Sequence, residues 1–307
     1  MNLQQLQYIV AVDIHRNFAK AAQACFVTQP TLSMMIQKLE RELVIKIFDR
    51  SKQPVIPTET GRLIIDQARR VLQESQRIQE IVDLQKGKVA GELRLGIIPT
   101  LAPYLLPLFI NQFLSKYPDV QVSITELITD QILQQLKKGK LDAGILVTPI
   151  DDDRIREYPL FYEPFYVYTT HLFDKEYYLP EDIDPNELWL LEEGHCFRTQ
   201  IIKLCELRKS VKRRLEYQAG SIETLKRMVE NQDGITVLPH LALNDLTPEQ
   251  MARIKPFAEP RPVREVSLVT HRDFIKKQLI DKLKEEILAR VPKDLERVEA
   301  QQVIKPR

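Results

Sequence analysis

Along the first 57 residues the apolar positions recur at helical spacing, interrupted by two short breaks. Leu3, Leu6, Tyr8, Ile9, Val10 and Val12 mark a first helix, with Asn2 placed as its N-cap. Phe18–Cys25 is alanine-rich and follows Asn17, which predicts a second, short helix. After a break at Phe26-Val27, Thr28 is a good N-cap and Pro30 falls in the first turn of a third helix. Leu32, Met35, Ile36, Leu39 and Leu43 then repeat at helical spacing. Two helices joined by a tight break, the second longer, form the helix-turn-helix pattern. The alternating, turn-rich stretch Ile47–Pro57 reads as a β wing.

From Thr58 one helical pattern runs to about Lys86. Ile64, Ala68, Val71, Ser75, Ile78 and Val82 fall at alternating steps of four and three, a coiled-coil seam broken by the polar Ser75. The same spacing suits an amphipathic helix lying on its own domain. A dimer seam is the preferred reading, because no strand follows for the helix to cover before a break at Gly91.

From Gly91 the rhythm becomes strand, helix, strand. Strands are expected at Leu93–Ile98, Val120–Ile124 and Leu141–Val147, with helices at Leu101–Tyr117 and Gln131–Lys138 between them. That order predicts an α/β sheet with parallel crossovers. Strands at Phe165–Tyr168 and Leu188–Leu191, and helices at about Cys196–Arg208 and Ile222–Glu230, suggest a second lobe. A late strand at Glu265–His271 and a helix at Ile275–Ala289 return to the first lobe, and the residues from Pro292 read as a charged, loosely held tail. The expected division is 1–58, 59–88 and 89–307, the last with lobe I at about 89–163 and 267–307 and lobe II at about 164–266.

Composition adds less. The 307 residues are 44% hydrophobic and 28% charged, with a net charge of +1, as in an ordinary soluble globular protein. Residues 1–60 carry seven basic and five acidic side chains, so a claim of DNA binding rests on pattern rather than on charge. No positively charged start runs into an apolar core, and no apolar run is long enough for a membrane span. A cytoplasmic location is expected, where thiols are kept reduced, so any disulfide among the three cysteines would be regulatory. His15, His171, His240 and His271 lack a second ligand at metal spacing, and neither a metal nor a cofactor is expected. Only 9 glycines are present, and they form neither a phosphate-binding loop nor a Gly-x-Ser-x-Gly elbow.

The stretch Ala21–Ser33, with Ile36, Leu39-Glu40, Phe48, Arg50 and Thr58-Glu59-Thr60-Gly61, closely resembles the helix-turn-helix of the LysR family. The resemblance covers essentially the whole chain. It implies a winged helix-turn-helix, a dimerising linker helix, and a two-lobed regulatory domain folded like a periplasmic binding protein. It further implies promoter DNA and RNA polymerase as partners, and a homo-oligomer that is a dimer or a tetramer. Thr28, Gln29, Pro30, Thr31 and Ser33 cluster at a helix N-terminus, which suits phosphate. Gln29 suits an adenine edge, Pro30 or Thr31 a thymine methyl, and Arg50 a phosphate or the minor groove. Thr28 also serves as a plain N-cap, and both roles can hold. Family members usually carry glycine where Val44 stands, and often arginine where Met34 or Gln37 stands, which shifts DNA affinity toward Lys38 and Arg50.

Glu192–Gln200 with its Gly194-His195-Cys196 run, followed by Cys205, resembles the peroxide-sensing OxyR branch of that family. Pro99-Thr100, Thr129 and Gly220–Leu225 support the match. The resemblance implies that Cys196 reacts with hydrogen peroxide and that Cys205 resolves the product. The residues themselves agree. A thiolate needs positive charge, donors or a helix N-terminus, and Cys196 follows a glycine turn at a helix start, beside His195 and near Arg198. If residues 196–205 are helical, nine rises place the two Cα atoms roughly 13–14 Å apart, whereas a disulfide needs them within about 7 Å. Closing the bond must therefore unwind the helix. Thr100 and Thr129 each lie between a strand and a helix, where N-capping or peroxide binding at the sheet rim accounts for them. Cys25 reads as a buried small apolar residue.

The leading reading is a redox-switched DNA-binding regulator without enzymatic turnover. A regulator sensing a small organic effector in a cleft lined by Thr100 and Thr129 is the alternative. A thiol peroxidase is disfavoured by the helix-turn-helix.

Overall fold

Helix ends in the N-terminal unit are set by the short polar residues that precede them. Asn2 caps α1 (Leu3–His15) by accepting from the Gln5 N–H at 2.9 Å, while Gln5 Oε1 accepts from the Asn2 N–H. Asn17 caps α2 (Phe18–Ala24), and Thr28 caps α3 (Gln29–Glu42) with Pro30 in its first turn. The wing is a two-stranded antiparallel ribbon, β1 (Phe48–Asp49) and β2 (Ile56–Pro57), and α4 (Glu59–Gln85) follows it. Leu6, Ile9, Val12, Leu32, Ile36, Leu39, Ile47 and Ile65 form the core of this unit. Gly61 permits close approach of α4, since a Cβ there would lie 2.0 Å from the Ile47 carbonyl oxygen.

The computed structural model describes residues 1–85, 89–171, 176–205, 219–272, 274, 276–293, 295 and 303–306, and for residues 73, 76, 77 and 79–85 the backbone alone. It divides into two compact units, Met1–Lys88 and Val89–Arg307. Of the seam positions in α4, Ala68 is buried in the unit's own core, Ile64 and Val71 pack at its edge, and Ile78 is 68% exposed. Intramolecular packing thus accounts for the N-terminal half of the seam and leaves Ile78 exposed among the described residues. The Val82 side chain and the expected helix end at Lys86 lie outside the described residues.

Helix α3 stops without the usual glycine. The Val44 N–H donates to the Arg41 carbonyl and the Ile45 N–H to the Glu40 carbonyl, the paired bonds of a Schellman ending. That geometry forces Val44 to φ 55°, a left-handed conformation that a β-branched residue resists. Val44→Gly is therefore expected to stabilise the DNA-binding unit by about 1 kcal/mol. A thermal melt of the variant checks this; a lower midpoint than the parent's contradicts it.

In the second unit, β3 (Gly91–Ile97), α5 (Ala102–Lys116), β4 (Val120–Glu126), α6 (Thr129–Lys137) and β5 (Ala143–Thr148) alternate as expected. β3 pairs in parallel with both β4 and β5. The long β6 (Ile155–Thr169) leads on to α7 (Cys196–Leu204), α8 (Ile222–Gln232) and β7 (Ile235–Pro239). The short α9 (Pro248–Met251) and β8 (Ile254–Pro256), then β9 (Val263–His271) and α10 (Lys277–Leu288), complete the order. The seven strands form one mixed, curled sheet in the order β4-β3-β5-β9-β6-β7, with β8 also on β6. β6 runs antiparallel to β9 as far as Pro164, then pairs with β7 and β8 from Phe165 onward. This exchange of partners joins two lobes into a periplasmic-binding-protein-like fold.

Several elements differ from the sequence expectation. β6 begins ten residues before Phe165. Leu188–Leu191 is no strand and makes only isolated bridges at Leu188 and Leu191. β7 is a further strand, a continuously buried run behind the Asp233-Gly234 turn. α7 ends at Leu204, and residues 206–208 of the expected helix lie outside the described residues, as does Ile275 ahead of α10. The chain end is not a loose tail throughout: Val303 bridges to Val263, and the Ile304 N–H donates to the Val263 carbonyl at 2.9 Å. Most of the stretch from 294 to 302 lies outside the described residues. No described helix is long and apolar enough to cross a membrane.

Candidate functional site

Two groups of side chains stand out, one in each unit. On α3, Thr28 accepts from the Thr31 N–H and shares a 2.8 Å hydrogen bond with the Thr31 hydroxyl. Gln29, Pro30 and Thr31 are exposed in the first turn, Gln37 and Lys38 are exposed two turns on, and Ser33 is half-buried. A helix N-terminus presenting small polar side chains is suited to a phosphate and an adjoining base edge. Arg50 is placed differently from a free wing arginine. Its guanidinium donates to Ser33 Oγ at 3.0 Å and to Glu40 Oε2 at 3.3 Å, and lies 4.8 Å over the Phe18 ring. Glu40 is itself buried and accepts from the Ile47 and Phe48 N–H groups. Arg50 therefore clamps the wing to the recognition helix, and Ser33 is part of the clamp.

In the second unit, Cys196 is the first residue of α7 and is buried. The N–H groups of Cys196 and Phe197 point at its sulfur, as a helix start provides. Burial pushes the Cys196 thiol up. The Arg264 charge, the Thr129 hydroxyl and those two N–H groups act in the opposite direction, favouring the thiolate. The net direction is upward, so the closed pocket holds Cys196 as a thiol, with the means of stabilising its anion assembled around it. Cys205, at the C-cap of α7, has no such helpers among the described residues, and desolvation pushes it up to about 12. Both cysteines are free, at opposite ends of a nine-residue helix.

Arg264 is the residue that sequence reasoning missed. It is fully buried on β9 and forms a 2.7 Å ion pair with the equally buried Glu163 of β6. Its remaining donors reach the Thr100 hydroxyl at 3.0 Å and the Thr100 carbonyl at 3.2 Å. Glu163 Oε1 accepts in turn from the Leu241 N–H at 2.8 Å. The signal in the sequence was an arginine set among the inward positions of an apolar strand, Val263–Val269. Arg198, the expected thiolate partner, instead donates to the Leu191 carbonyl at 2.9 Å. The cation acting on Cys196 is Arg264.

Neither threonine is an N-cap: α5 is preceded by Leu101 and α6 by Ile128. Thr100 accepts from Arg264, and the Thr129 hydroxyl is buried beside Cys196 with no satisfied hydrogen bond. An unsatisfied buried hydroxyl is costly and calls for a partner. His195 is buried, does not cap α7 with its side chain, and places Nε2 3.5 Å from Glu192 Oε1. A separate cavity of about 430 Å³ is lined by Tyr104, Glu223, Lys226, Glu230, Asp245 and Gln250, and neither Thr100 nor Thr129 borders it. Among the described residues no cluster of His, Cys, Asp or Glu is arranged to hold a metal ion.

Residues 3–62 match the family model described as a bacterial regulatory helix-turn-helix protein of the LysR family. Residues 86–292 match the LysR substrate binding domain. The chain is similar to the DNA-binding transcriptional dual regulator OxyR of Escherichia coli, at 36% identity over 99% of this chain and 100% of the relative. The hydrogen peroxide-inducible genes activator of Haemophilus influenzae is also 36% identical, over 88% of this chain and 90% of its own length. Among solved structures, a full-length OxyR variant from Pseudomonas aeruginosa superposes with a TM-score of 0.79 at 34% identity, covering 94% of this chain and 98% of that one. A peroxide-bound OxyR mutant from Corynebacterium glutamicum gives 0.62 at 26% identity, over 94% and 92% of the two chains.

Proposed function

This chain belongs to the LysR family of bacterial regulators, and from that premise we propose that it is a transcription regulator of the oxidative-stress response switched by hydrogen peroxide. The observation that carries the reading is the buried Cys196 at the start of α7, facing Arg264 and an unsatisfied Thr129 hydroxyl, with Cys205 at the other end of the helix. Peroxide fills the place that the Thr129 hydroxyl leaves open. The Cys196 sulfur attacks one peroxide oxygen, the O–O bond breaks, and the thiol proton goes to the departing oxygen. The products are a sulfenic acid and water. The sulfur of Cys205 then attacks the Cys196 sulfur, and the sulfenic oxygen leaves as a second water. Two thiols and one peroxide thus become one disulfide and two waters, with the chain oxidised and peroxide reduced.

Thr100 and Arg264 steady the developing anion, and His195 closes the pocket beside them. Arg198 acts from its place on the Leu191 carbonyl, by holding the turn that precedes α7. The disulfide cannot form across an intact α7, so oxidation rearranges the segment between the cysteines. At the DNA face, Gln29, Pro30 and Thr31 read base edges from the N-terminus of α3, with Thr28, Gln37 and Lys38 on the adjoining backbone. Arg50 and Ser33 keep the wing in register with that helix. The protein works as a homo-oligomer through α4, with RNA polymerase as its partner at the promoter, and without enzymatic turnover.

The test is a footprint on a promoter fragment selected from genomic DNA by the reduced protein. Peroxide is expected to alter the protected pattern, and dithiothreitol to restore it. Identical protection in both states would refute the switch.

A further inference from the structure

Helix α7 makes contacts that the peroxide chemistry leaves unused. Gln200, between the two cysteines, is fully buried, and its Nε2 donates to the backbone carbonyl of Ile304. The segment bearing that carbonyl is itself docked. The Ile304 N–H donates to the Val263 carbonyl, Val303 bridges in parallel to Val263, and Ile304 packs against the regulatory core. Val263 opens β9 and is the chain neighbour of Arg264. A piece of the C-terminus therefore joins the redox helix to the strand that carries the charge on Cys196. The other amide atom of Gln200, Oε1, is buried and unsatisfied, so the Ile304 carbonyl is the partner that makes burial of this amide tolerable.

We propose that Gln200 and the C-terminal segment 303–306 pin α7 in its helical form and so set how fast Cys205 reaches oxidised Cys196. The proposal rests on the peroxide reading above. Bringing the cysteines together requires the turns around Gln200 to open, which withdraws its amide from Ile304 and leaves a half-buried carbonyl without its donor. The pin opposes the second step and not the first, because sulfenic acid formation at Cys196 needs no movement of Gln200. Gln200 is a positioning residue, and its effect divides the two steps.

The experiment uses full-length protein in three forms: the parent, Gln200→Leu, and a chain ending at Gln302. Each is mixed rapidly with peroxide, and sulfenic acid and disulfide are followed by quenching with a dimedone-type trap. Formation of sulfenic acid should agree within about twofold, while its conversion to disulfide should be about 10-fold faster in each variant, the worth of one lost hydrogen bond. Combining the two changes should add little, since both remove the same contact. Parental conversion rates in both variants would overturn the proposal. Hydrogen exchange at the Ile304 amide separates this from a failure of the peroxide reading. If the parent yields no sulfenic acid, that reading falls. The pin is then judged by whether reduced Gln200→Leu loses protection at Ile304, as expected, or keeps the parental protection, which overturns it.

Discussion

Replacing Cys196 with serine is expected to abolish the peroxide response altogether. A serine hydroxyl does not ionise in a pocket that already holds the more acidic thiol neutral, so the nucleophile is gone and no sulfenic acid forms. Shape and packing change little, because one oxygen replaces one sulfur at a buried helix start, and the reduced fold should persist. Cys205→Ser has the opposite signature. The first oxidation proceeds, the resolving thiol is missing, and sulfenic acid accumulates at Cys196 where a dimedone-type reagent traps it. With no disulfide to close, hydrogen exchange across α7 should stay near that of the reduced protein. A Cys196→Ser protein that still forms a peroxide-dependent product at Cys205 and still switches would reverse the two assignments. Full rearrangement in Cys205→Ser would show that oxidation of Cys196 alone drives the change.

Arg264→Leu is expected to have the largest effect on stability of any substitution at the site. It leaves Glu163 fully buried with the Leu241 N–H as its remaining donor, and breaking a buried pair by removing one partner costs about 3–5 kcal/mol. Cys196 loses at the same time the largest influence that favours its anion, so its reaction with peroxide should slow. The two consequences separate in Arg264→Leu combined with Glu163→Leu. Two apolar residues in place of a buried ion pair are often neutral or stabilising. The double variant should therefore recover most of the melting temperature and none of the reactivity. Recovery of peroxide reactivity along with stability would mean that Arg264 serves the fold and not the thiol.

What was legible in the sequence follows the range of the interactions involved. The helix-turn-helix could be read because its determinants are local: Asn2, Asn17 and Thr28 each cap the helix that begins one residue later. Cys196 and Cys205 are singled out by a short run, a spacing and the family resemblance these carry, and the structure places them at the two ends of α7. Arg264 and Glu163 were not, since they are 101 positions apart and nothing near either names the other. β6 extends well before Phe165 although Pro159 and Pro164 argue against a strand there; the sheet accommodates Pro159 with a shift of register before Phe161, and Pro164 is the last residue paired with β9. The sequence assigns Arg50 to a phosphate or the minor groove and is silent on its clamp to Ser33 and Glu40, which is a tertiary contact. The docked chain end had a signal in the apolar pair Val303-Ile304 after a charged stretch, which composition alone does not distinguish from a tail.

In the proposed switch, peroxide joins Cys196 to Cys205 within one chain and α7 opens to allow it. Non-reducing peptide mapping after substoichiometric peroxide, paired with hydrogen exchange over α7, tests both halves on one sample. A single intrachain product linking Cys196 to Cys205 is expected, together with lost protection of the α7 amides. Finding both thiols free in protein that peroxide has switched, or the link formed while α7 keeps its protection, would contradict it.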